Sequence, residues 1–395
     1  MTTEAWFTPE GIEDLLPEQA EKLEFYRREL VDLFAASGYA LVQPPLAEYV
    51  EALLTGTAQD LRDDTCVFVD RESGRQMGVR ADMTPQVARI ALSRLEAGRG
   101  HPLRLCYAGE VLRAHYNRAT GSRSPYQVGI ELFNVPGTAG DQEALLLLVE
   151  AMEALGLTPM TLSLGHAGLV RGLLEASGLT APEQADVLDM LRRKARPEYE
   201  AWLAAHLDDI HYSVQALFTD WLLLAGEAES VLEQARALLQ ELPEQLHQLQ
   251  ALADVVMLLR EAVPDVRLFV DLAEVRGYQY HTGVTFATYV TDAHGQAVEV
   301  ANGGRYDGMG REFGAVAPAT GFSLDLRAVL DMLPPVERTG ERIWAPMQPD
   351  AALYEKVGLL RAEGWEVLWC ETVPQGAGRY LENIGGEWVV RNDKA

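Results

Sequence analysis

Two apolar runs, Leu103 to Arg113 (LRLCYAGEVLR) and Tyr126 to Asn134 (YQVGIELFN), flank a polar loop from His115 to Ser124. Such runs on either side of a connection specify two antiparallel strands. They constrain the fold because their apolar faces have to be covered by other elements. Further strand patterns occur at Val266 to Leu272, Gly283 to Thr291 and Ala297 to Ala301, and alternation is clearest in GVTFATYV. Helical spacing appears in Pro17 to Ser37, where Leu23, Tyr26, Leu30, Leu33 and Phe34 form one stripe that ends near Gly38. Tyr39 to Leu46 reads as a strand broken by Pro44 and Pro45, Glu143 to Leu157 as a helix and Met160 to Leu164 as extended.

His166 to Ala262 is largely helical with little strand signal, so it reads as an insertion. Long helices followed by antiparallel strands predict an α+β fold, an antiparallel sheet flanked by helices, and not a doubly wound sheet. The Pro334–Pro335 pair and the charged stretch to Arg342 mark a boundary. Beyond it, a helix (Ala351 to Ala362) and a short strand (WEVLWC) predict a small α/β appendage. The expected organisation is a main domain from residues 1–165 and 264–333, a helical insertion over 166–263 and an appendage over 340–395.

Composition narrows the function. The chain has 395 residues with 33 Lys+Arg against 59 Asp+Glu, a net charge of −26. Phosphate backbones are bound through cationic side chains, so a nucleic-acid partner is not expected. Cys66, Cys106 and Cys370 are scattered, which supports neither a disulfide framework nor a metal site. The amino terminus lacks a basic segment before an apolar core, and no long apolar run predicts a membrane span. A cytoplasmic location is expected.

Three segments carry candidate binding residues: Val79 to Arg89 (VRADMTPQVAR), Ala273 to Phe286 (AEVRGYQYHTGVTF) and Asn302 to Gly308 (NGGRYDG). Each has a plainer reading. Asp82 and Thr84 can cap the helix that follows them, a frequent role for short polar residues. The glycines of NGGRYDG can make tight turns, and Arg276 or Arg305 can be a surface charge.

Together, and in this order, the segments resemble the ligand-binding motifs of class II histidyl-tRNA synthetases. That resemblance implies a histidine pocket in which Asp82, Thr84 and Gln127 meet the ammonium, Arg113 and Arg276 the carboxylate, and Glu131 the imidazole, with Tyr280 and His281 beside it. Asp82 stands where that family has glutamate, and His281 where it has a second tyrosine. The helix and strand near the amino terminus are similar to the first class motif, which in that family builds a dimer.

The nucleotide half departs further. Gly321 to Leu330 (GFSLDLRAVL) falls at the third class motif, with Asp325 in place of a glycine, Arg327 of the acid and Ala328 of the arginine. His115 replaces the acid two residues after Arg113. Phosphoryl charge must be neutralised for adenylation, so weak or absent adenylation is expected unless Arg327 takes the missing role.

A synthetase-like chain with this loss and a short carboxy-terminal appendage resembles the regulatory subunit of ATP phosphoribosyltransferase. That resemblance implies histidine biosynthesis and no catalytic residue, metal or cofactor. It further implies self-association as a dimer, a short-form catalytic subunit as partner in a hetero-octamer, and histidine as the feedback effector. The alternatives are an active histidyl-tRNA synthetase or paralogous ligase, and a free-standing histidine-binding module.

Overall fold

The computed structural model of the protein describes residues 7–54, 61–95, 100–116, 122–275, 277–278, 280–308, 316–336, 342–374 and 376–392. Helix α1 (Pro17–Ala36) buries Leu23, Tyr26, Leu30 and Phe34, the stripe its spacing specifies, with Leu33 half-buried at the margin. Strands β1 (Ala40–Leu41) and β2 (Ala47–Tyr49), α2 (Val50–Leu53), β3 (Val67–Val69), β4 (Gln76–Val79) and α3 (Thr84–Ser93) follow. Strands β5 (Leu103–Glu110) and β6 (Tyr126–Phe133) are the expected antiparallel pair. Helix α4 (Thr138–Ala154) and β7 (Met160–His166) come next.

Helices α5 (Ala167–Ala176), α6 (Ala181–Arg193), α7 (Arg196–His206) and α8 (Tyr212–Asp220) open a helical block. It continues with a short strand, β8 (Ala225–Glu227), and with α9 (Ala228–Leu238) and α10 (Pro243–Ala262). Strands β9 (Arg267–Asp271), β10 (Val284–Thr291), β11 (Ala297–Arg305) and β12 (Ala319–Asp325) and the single turn α11 (Leu326–Val329) complete the first of two units, Met1–Pro334. The second unit, Pro335–Ala395, holds β13 (Arg342–Pro346), α12 (Ala351–Ala362), β14 (Glu366–Cys370), β15 (Arg379–Ile384) and β16 (Glu387–Asn392).

In the first unit nine strands pair in the order β1-β5-β6-β12-β11-β10-β7-β9-β8. From β5 to β7 every pairing is antiparallel, whereas β1 with β5 and β7 with β9 are parallel. The fold is thus the expected α+β class, an antiparallel sheet with helices packed on it. Side chains alternate across a strand, so β6 sends Val128, Ile130 and Leu132 to one face and Gln127 and Glu131 to the other. On the first face α1 packs against β5 and α4 against β12, and Phe34 meets Phe322 edge-on at 5.8 Å. On the second, α3 packs Met83, Val87, Ala88 and Ala91 against Leu105, Tyr107, Phe133 and Tyr306.

Several local expectations differ from the structure. Only Ala40–Leu41 of the Tyr39–Leu46 stretch pairs as a strand. Neither Pro44 nor Pro45 has an N–H for a ladder; their carbonyls accept instead from Arg80 Nη1 (2.9 Å) and Gln86 Nε2 (2.8 Å). The helical block contains β8, which pairs with β9. Strand β12 and the small sheet β2-β4-β3 were not foreseen. In the second unit the one expected strand is part of a four-stranded sheet, β14-β13-β15-β16, covered by α12.

Candidate functional site

The second face of the sheet holds a cavity of about 180 Å³. That is somewhat larger than the ~150 Å³ that admits benzene. Its described lining includes Asp82, Thr84, Glu131, Tyr280, His281, Asn302, Gly303, Gly321 and Ser323. Two carboxylic acids and no Arg or Lys stand among the described lining residues.

Glu131 is the deepest charged group, 1% exposed. Tyr107 donates to its Oε1 at 3.2 Å and Tyr306 to its Oε2. Burial is the largest influence and pushes the carboxyl up to about 8; the charge of Asp82 adds to this, and the Tyr306, Thr84 and Tyr107 hydroxyls oppose it. At pH 7 the acid is therefore mostly neutral. Opposite Glu131 in the ladder stands Gly321, where a Cβ would lie 2.0 Å from Oε2 and 2.3 Å from the Ile130 carbonyl. Only glycine leaves room for the carboxyl.

The turn before α3 brings in Asp82 and Thr84. Met83 N donates to Gln127 Oε1 (2.9 Å), and Gln127 Nε2 donates to Ser323 Oγ (3.0 Å), which docks the turn on β6 and β12. Thr84 Oγ1 lies 3.2 Å from Tyr107 Oη. Asp82 Oδ1 accepts the Thr84 N–H at 2.7 Å, so this acid steadies the start of the helix while also facing the cavity.

Tyr280 and His281 close a third side. The Tyr280 ring stacks on Tyr306 with centroids 5.2 Å apart. His281 Nδ1 faces the Arg305 carbonyl at 3.3 Å. A carbonyl can only accept, so this contact places the imidazole proton on Nδ1. Burial drives the His281 pKa down to about 4, which keeps the ring uncharged at neutral pH.

The remaining candidates fall elsewhere. Gln127 is buried and holds the walls through Met83 and Ser323. Arg113 is half-buried outside the described lining, and its charge acts on Asp325. Arg276 lies outside the described residues. Arg305 is no surface charge: it is 6% exposed, donates from Nε to Asp141 Oδ2 (3.1 Å) and from Nη2 to the Gly137 carbonyl (2.6 Å). The Gly303–Gly304 pair stands in β11 and not in a turn. Tyr107 and Tyr306 were not singled out in the sequence. The available signals were the place of Tyr306 inside NGGRYDG and that of Tyr107 opposite Gly129 of β6.

Around the third class motif, Asp325 accepts backbone N–H groups of Tyr126 (3.1 Å), Arg327 (3.1 Å) and Ala328 (3.3 Å). Arg327 is committed to Ser124 and, through Nη2, to the Glu13 carbonyl at 2.9 Å. His115 is exposed, 3.2 Å from Asp64.

A mainly antiparallel sheet with helices on both faces and a small cavity lined by acids and aromatic rings beside α3 is the arrangement of a class II synthetase-like protein. Residues 11–329 match the histidyl-tRNA synthetase family. A structure from Bacillus halodurans C, an ATP phosphoribosyltransferase regulatory subunit/histidyl-tRNA synthetase, superposes with a TM-score of 0.78 at 25% identity over 92% of each chain. The ATP phosphoribosyltransferase regulatory subunit of Hydrogenovibrio crunogenus is 46% identical over 99% of both chains. That of Methylococcus capsulatus is 44% identical over 98% of this chain and 95% of its own. The chain belongs to the family of ATP phosphoribosyltransferase regulatory subunits.

Proposed function

We propose that this chain is the non-catalytic regulatory subunit of an ATP phosphoribosyltransferase, that it joins a short-form catalytic subunit, and that it senses histidine in the cavity beside Glu131. The observation that carries the reading is the chemistry of that cavity: two acids, several hydroxyls and stacked rings, with no cation among the described lining residues. An ammonium finds Asp82 and Thr84, and an imidazole finds Glu131 deep among aromatic rings. Arg113 and Arg276 are the proposed partners of the carboxylate, since a guanidinium fork matches two oxygens.

Residues of the third class motif argue against adenylation as the main role. Arg327 is held by Ser124 and Glu13, and Asp325 spends its carboxylate on backbone N–H groups. The family pattern supports feedback control: histidine bound here shifts an equilibrium that the catalytic partner feels. A coupling of about 1 to 3 kcal/mol is sufficient for that.

Calorimetric titration of histidine into wild type and Glu131→Ala tests the site. Removing the buried carboxyl leaves the imidazole without its hydrogen-bond partner at a cost of about 1 to 3 kcal/mol, so affinity should fall about fivefold or more. Unchanged binding in the variant would remove Glu131 from the site. Histidine-dependent ATP–pyrophosphate exchange separates the ligase reading, because an adenylating enzyme shows exchange and a regulator does not.

A further inference from the structure

The described residues from Leu272 to His281, which include Tyr280 and His281 of the cavity, are held from behind by the helical block. Trp221 Nε1 donates to the Leu272 carbonyl (2.8 Å) and Lys194 Nζ to the Ala273 carbonyl (2.8 Å). Arg171 Nη2 on α5 donates to two carbonyls, those of Tyr278 (2.7 Å) and His281 (3.1 Å). The Arg171 guanidinium also lies 4.9 Å from the centre of the Tyr278 ring. The start of α5 also bonds the chain just beyond the segment, with Ala167 N donating to Gly283 O at 2.9 Å. A Cβ on Gly168 would lie 2.7 Å from the Thr282 carbonyl, so glycine allows that contact.

One guanidinium nitrogen with two N–H groups thus fixes two carbonyls three residues apart, on either side of the residue that stacks on Tyr306. We propose that Arg171 is a positioning residue for the cavity, and that through it the helical block gains order when a ligand fills the site. Arg171 touches no ligand. It sets where Tyr280 and His281 stand, and the same bonds carry strain from a filled cavity into α5. The proposal rests on the reading that the cavity takes histidine, and its test separates the two.

Arg171→Ala and Arg171→Lys are compared with wild type by histidine titration and by hydrogen exchange. Losing two charge-assisted bonds should weaken histidine about tenfold in Arg171→Ala. Lysine keeps the charge but not the planar fork or the stacking, and should recover part of the loss. Without ligand, amides of 277–283 should exchange faster in Arg171→Ala than in wild type. Histidine should slow exchange in α5 of wild type and not of Arg171→Ala. Affinity within twofold of wild type together with unchanged exchange over 277–283 overturns the proposal. If wild type binds no histidine, the functional reading fails, and the ligand-free exchange still decides whether Arg171 holds the segment. If Arg171→Ala does not fold, Arg171→Lys decides by the same two readouts.

Discussion

Glu131 is wholly buried and its carboxyl is pushed up to about 8, so the folded protein keeps a proton there that the unfolded chain releases near 4.5. Between those values the folded state binds more protons, and the stability this group contributes falls as pH rises. His281 and His166 act with the opposite sign: burial lowers both to about 4, so their contribution is present above 6.5 and is lost as pH falls toward 4. Glu131 is therefore best isolated between pH 6.5 and 8. Over that window wild type should lose up to about 2 kcal/mol relative to Glu131→Gln, read from unfolding of both proteins at each pH. Parallel behaviour of the two proteins would mean the carboxyl is already ionised. Gly321→Ala tests the same crowding from across the ladder. With its Cβ aimed at Glu131 and at the Ile130 carbonyl, it should cost about 1 to 3 kcal/mol and weaken histidine binding, whereas a neutral outcome would show that the strand gives way.

At the scale of elements, the bond between β11 and α4 is a buried ion pair. Arg305 and Asp141 are both nearly inaccessible, with Nη2 within 3.0 Å of Oδ1. Removing one partner of such a pair costs about 3 to 5 kcal/mol because the other charge stays buried. Arg305→Leu should lose that much in urea unfolding, and a loss under 1 kcal/mol would mean Asp141 finds another partner or takes up a proton. Two apolar runs around a polar loop made β5 and β6 legible and period-two alternation made β10 so, whereas the common facing of Gln127 and Glu131 came only with the structure. Strand β12 was missed although Phe322 and Leu324 alternate with Gly321, Ser323 and Asp325: the run is short, and its cavity-facing side carries glycine and serine, which are weak strand signals. The role of Arg305 was also hidden, since nothing near it in sequence announces Asp141, 164 residues away. Asp82 and Thr84 sat between a helix cap and a ligand contact; in the structure Asp82 accepts the Thr84 N–H and lines the cavity, while Met83 holds the cap position.

The whole molecule combines an acidic chain of net charge −26, a synthetase-like sheet and a cavity beside Glu131. No described helix is long and apolar enough to cross a membrane. The second unit has its own core around Ile343, Leu353, Val367 and Trp388, and contributes none of the described residues lining the cavity. Under the proposed function the chain acts through a catalytic partner. The direct measurement is turnover of a short-form ATP phosphoribosyltransferase catalytic subunit with and without this chain, while histidine is titrated. Activity that depends on the chain and falls with histidine, but persists in the complex with Glu131→Ala, is the predicted result. Activity indifferent to the chain, or inhibition equally strong in Glu131→Ala, would contradict it.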